Sequence, residues 1–355
     1  MTDQKISLTP SPSPSAEAQT NAESNIDSTD SIAPDCIDDG YGCEDSGDGS
    51  MSLTSSVFDH TFENGRRYHR FREGTYNFPN DMSEQERENI KHTIVVNVCG
   101  GKLHLAPIGK HPQNIIDLGT GTGTWCMEMG DLYPSASILG VDLSPIQPVW
   151  VPPNVRFMVD DVESSWLEPE NFYDLVHGRH ITPAIKDFPA LIRRAYNHIK
   201  PGGFLEFQEM EPFPYSDDSS LLPSSPLLEY YTPIHQGLKN LGVDLQRSRD
   251  EAGNLESYGF TNTRQEIFKI PIGTWPDNQL LKTVGMYAKV GITEGLEAMA
   301  YGPLCRGMGW SKEKVEEMCA DVRRYLSEEH RVMAYMKLHI SWGQKPPDPI
   351  RMISS

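Results

Sequence analysis

The sequence has no apolar run approaching the roughly 18 to 20 residues that a membrane span requires, and no apolar core follows its first residues, Met1-Thr2-Asp3-Gln4-Lys5. Neither a membrane anchor nor a secretion leader is therefore expected, and a cytoplasmic protein is. Cysteine is sparse. The six residues Cys36, Cys43, Cys99, Cys126, Cys305 and Cys319 show no C-x-x-C spacing, so no metal cluster and no disulfide framework is indicated. Positive charge is scarce too, with 31 Lys and Arg against 50 Asp and Glu and a net charge of -19. Sequence-independent nucleic-acid binding relies on cations that displace counterions from phosphates, so this balance argues against direct contact with DNA or RNA.

The acidity is uneven. Eleven acidic residues stand against Lys5 alone in the first fifty positions, and the segment 1–56 is rich in Ser, Asp and Pro with only isolated large apolar residues. Such a stretch buries too little surface to offset chain entropy and is expected to be a disordered acidic tail, either a solubilising leader or a docking segment for a protein partner. The body is expected over 57–345, with a cofactor-binding core at 113–211, a cap inserted at 212–257 and a short tail at 346–355.

A basic, aromatic stretch runs from Glu63 to Asp81, after which Ser83 is placed to cap a helix with Ile90, Ile94, Val95 and Val98 at helical spacing. From Asn114 short apolar runs alternate with helix-length polar segments: 115–118, 138–142, 155–159, 173–176 and 204–207. That alternation predicts an α/β fold, a doubly wound and mostly parallel sheet behind an N-terminal helical layer. Strand-like sequence resumes over 260–267. From Ser311 a segment with Val315, Met318, Cys319, Val322 and Leu326 on one face predicts a core-packed amphipathic helix.

The chemistry concentrates at strand ends. Directly after the first strand comes Asp117-Leu118-Gly119-Thr120-Gly121-Thr122-Gly123-Thr124. Glycine suits a sharp strand-to-helix turn where a ligand must approach the backbone. The alternating spacing differs from the G-x-G-x-x-G of a dinucleotide loop, which disfavours nicotinamide binding. Asp142, at the end of the next strand, is placed to accept from two ribose hydroxyls, although an aspartate before Ser144-Pro145 also suits a turn. After the third strand, Asp161 and Val162 offer a carboxylate and an N–H to a purine, or else cap a helix.

These residues, with Asp174 and Lys200-Pro201-Gly202-Gly203-Phe204-Leu205-Glu206, resemble the successive motifs of class I S-adenosyl-L-methionine-dependent methyltransferases. More narrowly, Asn64-Gly65-Arg66-Arg67-Tyr68-His69, Pro79-Asn80-Asp81, Leu143-Ser144-Pro145-Ile146-Gln147-Pro148 and Trp150-Val151-Pro152-Pro153-Asn154-Val155 resemble fungal LaeA-like methyltransferases, relatives of the velvet-complex methyltransferase. The resemblance spans roughly residues 63 to 345. It implies a Rossmann-like fold, a cofactor held by Asp117, Gly119, Gly121, Gly123, Asp142, Asp161 and Val162, and a role in fungal secondary metabolism. It also suggests that Tyr68, Arg72 and Tyr76 fold over the cofactor, although an aromatic and cationic strap on the sheet explains them equally.

Candidates for a base lie just beyond the fourth strand, at His177, Arg179 and His180, with Glu209 and Glu211 after the fifth. Tyr230, Tyr231 and Trp275 are placed to close a pocket over a small-molecule O or N acceptor. The alternative is a regulator in a nuclear protein complex that binds partners through its acidic tail. A third possibility is a domain that binds the cofactor without transferring from it.

Overall fold

The computed structural model describes residues 60–69, 78–328 and 332–347. The acidic segment 1–56, Arg72, Tyr76 and the positions beyond 347 lie outside the described residues.

The basic stretch begins as a hairpin of β1 (His60–Glu63) and β2 (Arg66–His69), which the sequence pattern had not signalled. Asn64 and Gly65 form its turn with φ of 53° and 80°, the paired positive values that make Asn-Gly a natural two-residue hairpin turn. Helix α1 (Met82–Val98) follows. Its cap is Asp81 rather than Ser83: the Asp81 side chain accepts from the Glu84 N–H, which leaves Ser83 inside the first turn.

Five parallel strands form the first part of the sheet: β3 (Asn114–Leu118), β4 (Ser137–Asp142), β5 (Val155–Val159), β6 (Tyr173–Arg179) and β7 (Ile199–Ser216). Helices α2 (Thr124–Leu132) and α3 (Phe188–His198) are two of the crossovers. The other helices are α4 (Pro226–Asn240), α5 (Glu251–Ser257), α6 (Gln279–Tyr301) and α7 (Lys312–Glu328). Two further strands, β8 (Thr261–Pro271) and β9 (Ala334–Gln344), complete a seven-stranded sheet in the order β5-β4-β3-β6-β7-β9-β8. β9 runs antiparallel between β7 and β8, so the sheet is parallel but for that strand.

The chain therefore has the Rossmann-like, doubly wound fold expected of class I methyltransferases. The sheet order reverses between β3 and β6, and open α/β sheets bind ligands at the carboxyl ends of the strands beside such a switch point. One face of the sheet packs on α1, α2 and α6 through residues such as Ile94, Trp125, Val284 and Leu338. The other face packs on α3 and α5 through Leu191, Ile192 and Leu255.

The layer beyond the sheet differs from the expected insertion at 212–257. β7 continues as strand to Ser216, and Leu255 of α5 joins the α3 side of the sheet. α4 instead shares a third core with α6 and α7, built on Leu227, Tyr230, Ile234, Leu296 and Val322. Val315, Cys319, Val322 and Leu326 of α7 are buried there, on the face that the sequence periodicity marks.

Candidate functional site

β3 delivers the chain into the glycine loop, where Gly119, Gly121 and Gly123 have φ of 67°, 56° and 77°. That region costs an L side chain roughly 1–2 kcal/mol, but the three positions need glycine for different further reasons. A Cβ on Gly119 would lie 2.8 Å from Ile181 Cγ2, and one on Gly123 would enter the Phe157 ring. Gly123 thus serves packing at the start of α2 and does not line the groove, contrary to its expected cofactor role. Gly121 does line it, and a Cβ there would meet no protein atom within 4 Å. The space beside Gly121 is an open cradle.

Asp142, at the end of β4, holds that loop. Its Oδ2 accepts from the Gly121 N–H at 2.8 Å and its Oδ1 from the Ser144 N–H at 2.9 Å. A carboxylate has about four lone-pair directions, so capacity remains on both oxygens at the groove. Burial pushes the Asp142 carboxyl up to about 6, and the two N–H groups oppose that rise. Gln147 adds a second tie, donating from Nε2 to the carbonyls of Gly121 (2.7 Å) and Ser144 (3.0 Å). Further along the groove, Asp161 Oδ1 accepts from the Glu163 N–H at 2.8 Å, and Asp160, Asp161 and Val162 all contribute to the wall.

The opposite wall comes from the N-terminal elements. Arg66 forms a forked ion pair with Asp81, at 2.6 and 2.8 Å, and Arg67 donates to the Asn80 side chain and carbonyl. Asn80 then donates from Nδ2 to Ser144 Oγ at 3.2 Å. The Arg-Arg, Pro-Asn-Asp and Leu-Ser-Pro motifs, far apart in sequence, thus form one clamp across the groove. Asn154 of the Val-Pro-Pro-Asn-Val motif has a similar structural task. It donates to the carbonyls of Gly130, in the last turn of α2, and of Tyr133 and Ala136, in the turn that follows.

Tyr68 is not a groove residue. Its side chain is buried beside the hairpin, where burial pushes the hydroxyl up to about 12, and Pro79, Asn80 and Glu84 form the wall expected of it. Tyr76, the other aromatic residue expected over the cofactor, lies outside the described residues.

Beside the loop, the end of β6 lies deeper than the sequence suggests. The strand continues through Arg179, so His177 is an interior strand residue with no exposure. Its Nδ1 pairs with Asp117 Oδ1 at 2.7 Å and its ring stacks on Trp125 at 3.9 Å. His177 therefore positions Asp117 and reaches no acceptor, which corrects its expected catalytic role. Asp117 borders a pocket with Gly119, Thr120, Trp125 and Arg179.

His180 is different. It has a left-handed φ of 56°, an uncommon value for a residue other than glycine, and lines both the groove and a second cavity. Burial, with the charges of Lys91 and Arg179 adding to it, holds its pKa well below the ordinary histidine value, so the ring is neutral. The Met210 N–H donates to Nδ1 at 3.4 Å, which assigns the ring hydrogen to Nε2. In this tautomer His180 is a hydrogen-bond donor, which corrects the expected histidine base. Nε2 has no partner among the described residues.

The second cavity is largely apolar, with Tyr231, Ile234, Leu238, Ile272, Ile292 and Met336 among its walls. Tyr230 and Trp275, both expected there, are not part of it. Tyr230 is fully buried with its hydroxyl on the Leu296 carbonyl, and Trp275 donates to the Ala334 carbonyl in a separate depression. Glu209 does line the cavity and accepts from the Ile181 N–H at 2.9 Å. Glu211 does not. His339, Tyr215 and Arg249 surround it, and against burial, which acts upward, their hydrogen bonds hold its carboxyl at about 2.

Glu88, Lys91 and His180 line both spaces, so groove and cavity share one wall. Glu88 and Lys91 escaped the sequence reading because their i, i+3 spacing in α1 looks like an ordinary surface ion pair.

A methyltransferase-domain family matches residues 91–265. The chain is 41% identical over 277 residues to the methyltransferase pytC of Aspergillus terreus, a match covering 77% of this chain and 84% of that one. It is 36% identical over 290 residues to the secondary metabolism regulator LAE1 of Cochliobolus heterostrophus, covering 80% and 94%. Over 289 residues it is 34% identical to the protein-methionine methyltransferase laeA of Emericella nidulans, covering 80% and 76%. Such a domain implies S-adenosylmethionine as cofactor, and the open cradle at Gly121 with the spare acceptor capacity of Asp142 suits it. The chain belongs to the LaeA-like family of S-adenosylmethionine-dependent methyltransferases.

Proposed function

We propose that the chain methylates an oxygen or nitrogen atom of a small, largely apolar molecule of fungal secondary metabolism. The observation that carries this reading is the wall of Glu88, Lys91 and His180, common to the glycine-loop groove and the apolar cavity. Bound S-adenosylmethionine supplies an electrophilic methyl group and a good leaving group, so the protein has mainly to hold and orient the acceptor.

Asp142 would accept from the ribose hydroxyls of the bound cofactor, Asp161 and Val162 would hold the purine, and Gly119 and Gly121 would leave room for the sulfonium end. Asp117, kept in place by His177, borders the amino-acid end. The apolar walls from α4 and α6 take up the acceptor and exclude water. His180 donates its Nε2–H to the acceptor atom and thereby orients that atom's own free lone pair toward the groove. Glu209, a carboxylate beside that histidine, receives the proton that a hydroxyl or amine acceptor gives up.

The test has two stages. Calorimetry should show S-adenosylmethionine binding that Asp142→Ala removes, and absence of binding to folded wild-type protein would sink the reading. Methyl transfer to a panel of phenols, enols and amines is then followed by mass spectrometry. Glu209→Gln and His180→Gln should each lower turnover by roughly 10²-fold while leaving cofactor affinity intact. Unchanged turnover in both variants would remove these residues from the mechanism.

A second reading is favoured by the match to LAE1, which covers 94% of that regulator. In it the protein acts in the nucleus within a protein complex, with the acidic segment as the docking element. Deleting residues 1–56 separates the two readings, because a metabolic enzyme keeps its turnover and a regulator loses its partners.

A further inference from the structure

The wall that groove and cavity share carries two donors that no protein acceptor meets. One is the Nε2–H of His180, a buried atom without a partner among the described residues. The other belongs to Lys91. An ammonium has three N–H groups, and the only acceptor that Lys91 reaches among the described residues is the Glu88 carboxylate, at 2.8 and 2.9 Å. At least one of its N–H groups is therefore uncommitted. Lys91 also acts on the His180 ring more strongly than any other charge, as a close neighbour does. Glu209 stands on the cavity side of the same wall, tied to the Ile181 N–H.

Two donors on one wall sort the atoms that can be methylated beside it. A neutral amine nitrogen has a single lone pair, and a hydrogen bond donated to that nitrogen occupies the pair that must attack the methyl group. A hydroxyl oxygen has two pairs, and three once its proton has left, so it can accept from both donors and keep one pair for the attack. Donors fixed in this way stabilise negative charge that develops on oxygen. Because Glu88 offsets the charge of Lys91, the wall gives little preference to a standing anion such as a carboxylate and acts on charge as it forms. An oxygen that surrenders its proton to a carboxylate base must itself be fairly acidic, which favours a phenol or an enol over an aliphatic alcohol.

We infer that the methyl acceptor is the hydroxyl oxygen of a phenol or enol, held by Lys91 and His180 as a pair of donors, and that amine nitrogen is rejected. This inference rests on the small-molecule reading above and narrows its acceptor. The O–H proton passes to Glu209 and the oxygen forms its bond to the methyl carbon. The carbon–sulfur bond breaks with its electron pair kept on sulfur, which leaves a methyl ether and S-adenosylhomocysteine. Glu209 then gives the proton to water.

The test uses matched acceptors, each pair a phenol and an aniline on one apolar skeleton, with a cyclic 1,3-diketone as the enol. Transfer is followed by mass spectrometry with wild type, Lys91→Met and Lys91→Arg. Wild type should methylate oxygen at least about 100-fold faster than the matched nitrogen. Lys91→Met should lower kcat by roughly 10²-fold on a weakly acidic phenol but by less than about tenfold on its nitro-substituted counterpart, whose anion needs less stabilisation. Lys91→Arg, which keeps a charge and donors, should recover part of the loss. An equal loss on both phenols would make Lys91 a structural residue and sink the inference. If Lys91→Met does not fold, the oxygen-to-nitrogen ratio of wild type decides. Transfer to nitrogen at a comparable rate would overturn the inference and leave the small-molecule reading standing, whereas a wild-type protein that binds the cofactor and turns over no member of the panel would remove both.

Discussion

Cofactor affinity should depend on pH through Asp142. In the free protein burial pushes this carboxyl up to about 6. The ribose hydroxyls are donors, and the ionised carboxylate accepts from both while keeping its bonds to Gly121 and Ser144. The protonated acid must place a hydrogen on one of those oxygens and loses that capacity. At neutral pH the group is already ionised and affinity should be flat. At about pH 5 protonated molecules outnumber ionised ones by roughly ten to one, so the apparent Kd should rise about tenfold, or about 1.4 kcal/mol. Calorimetry in two buffers of different ionisation enthalpy should show close to one proton released per cofactor at that pH and almost none near pH 8. Asp142→Asn should bind weakly at every pH and lose the slope. The same carboxyl, raised above its unfolded value, stabilises the free protein fully only below the ordinary carboxylate range and loses that contribution as pH climbs through about 6. The stability of wild type relative to the asparagine variant should therefore fall, by at most about 3 kcal/mol, as pH climbs from below the ordinary carboxylate range to about 8. A wild-type affinity that is flat down to pH 5, or a slope that survives in Asp142→Asn, would refute the assignment.

Gly121→Ala and Gly123→Ala should separate two kinds of glycine. The first should cost about 1 kcal/mol of stability and abolish cofactor binding in calorimetry, whereas the second, forced into the Phe157 ring, should cost several kcal/mol in thermal melts. Asn154→Ala removes the side-chain donor that the Gly130, Tyr133 and Ala136 carbonyls share and should cost about 1–3 kcal/mol in denaturant melts with no change in cofactor affinity. Glu211, held at about 2, contributes stability that is fully present above the ordinary carboxylate range and is lost as pH falls toward 2. Glu211→Gln should therefore flatten the acid limb of the stability curve.

The parallel half of the sheet was legible because each of its strands is a short apolar run followed by a polar, helix-length segment, a pattern with few other physical solutions. The glycine loop and Asp142 were legible for the same reason, since the chemistry sits where strands end and the end of β4 is marked by the run Ile138-Leu139-Gly140-Val141. β9 escaped notice. Its Met336, Leu338, Ile340 and Trp342 alternate with Lys337, His339 and Ser341, as an edge strand with one wet face would. In the sheet His339 and Ser341 are buried, and His339 is satisfied by Glu211.

His177 shows the limit more sharply. A histidine after a four-residue apolar run looks like the first residue past a strand. Its partner Asp117, 60 positions earlier, extends β6 by compensating the polar group inside the sheet. Local pattern cannot reveal such compensation, because the partner is set by register and not by spacing. The same holds for the acceptor side of the site. α1 looks like a solvated helix with charge pairs at Glu84, Arg87, Glu88 and Lys91, yet it packs against α6, where a Cβ on Gly295 would lie 2.6 Å from Arg87 Cδ. Once a helix covers that face, Glu88 and Lys91 stop being surface charges and become the wall between groove and cavity. A residue's chemistry was readable from sequence where the backbone alone fixes its surroundings. Where a distant helix or strand supplies them, it required the fold.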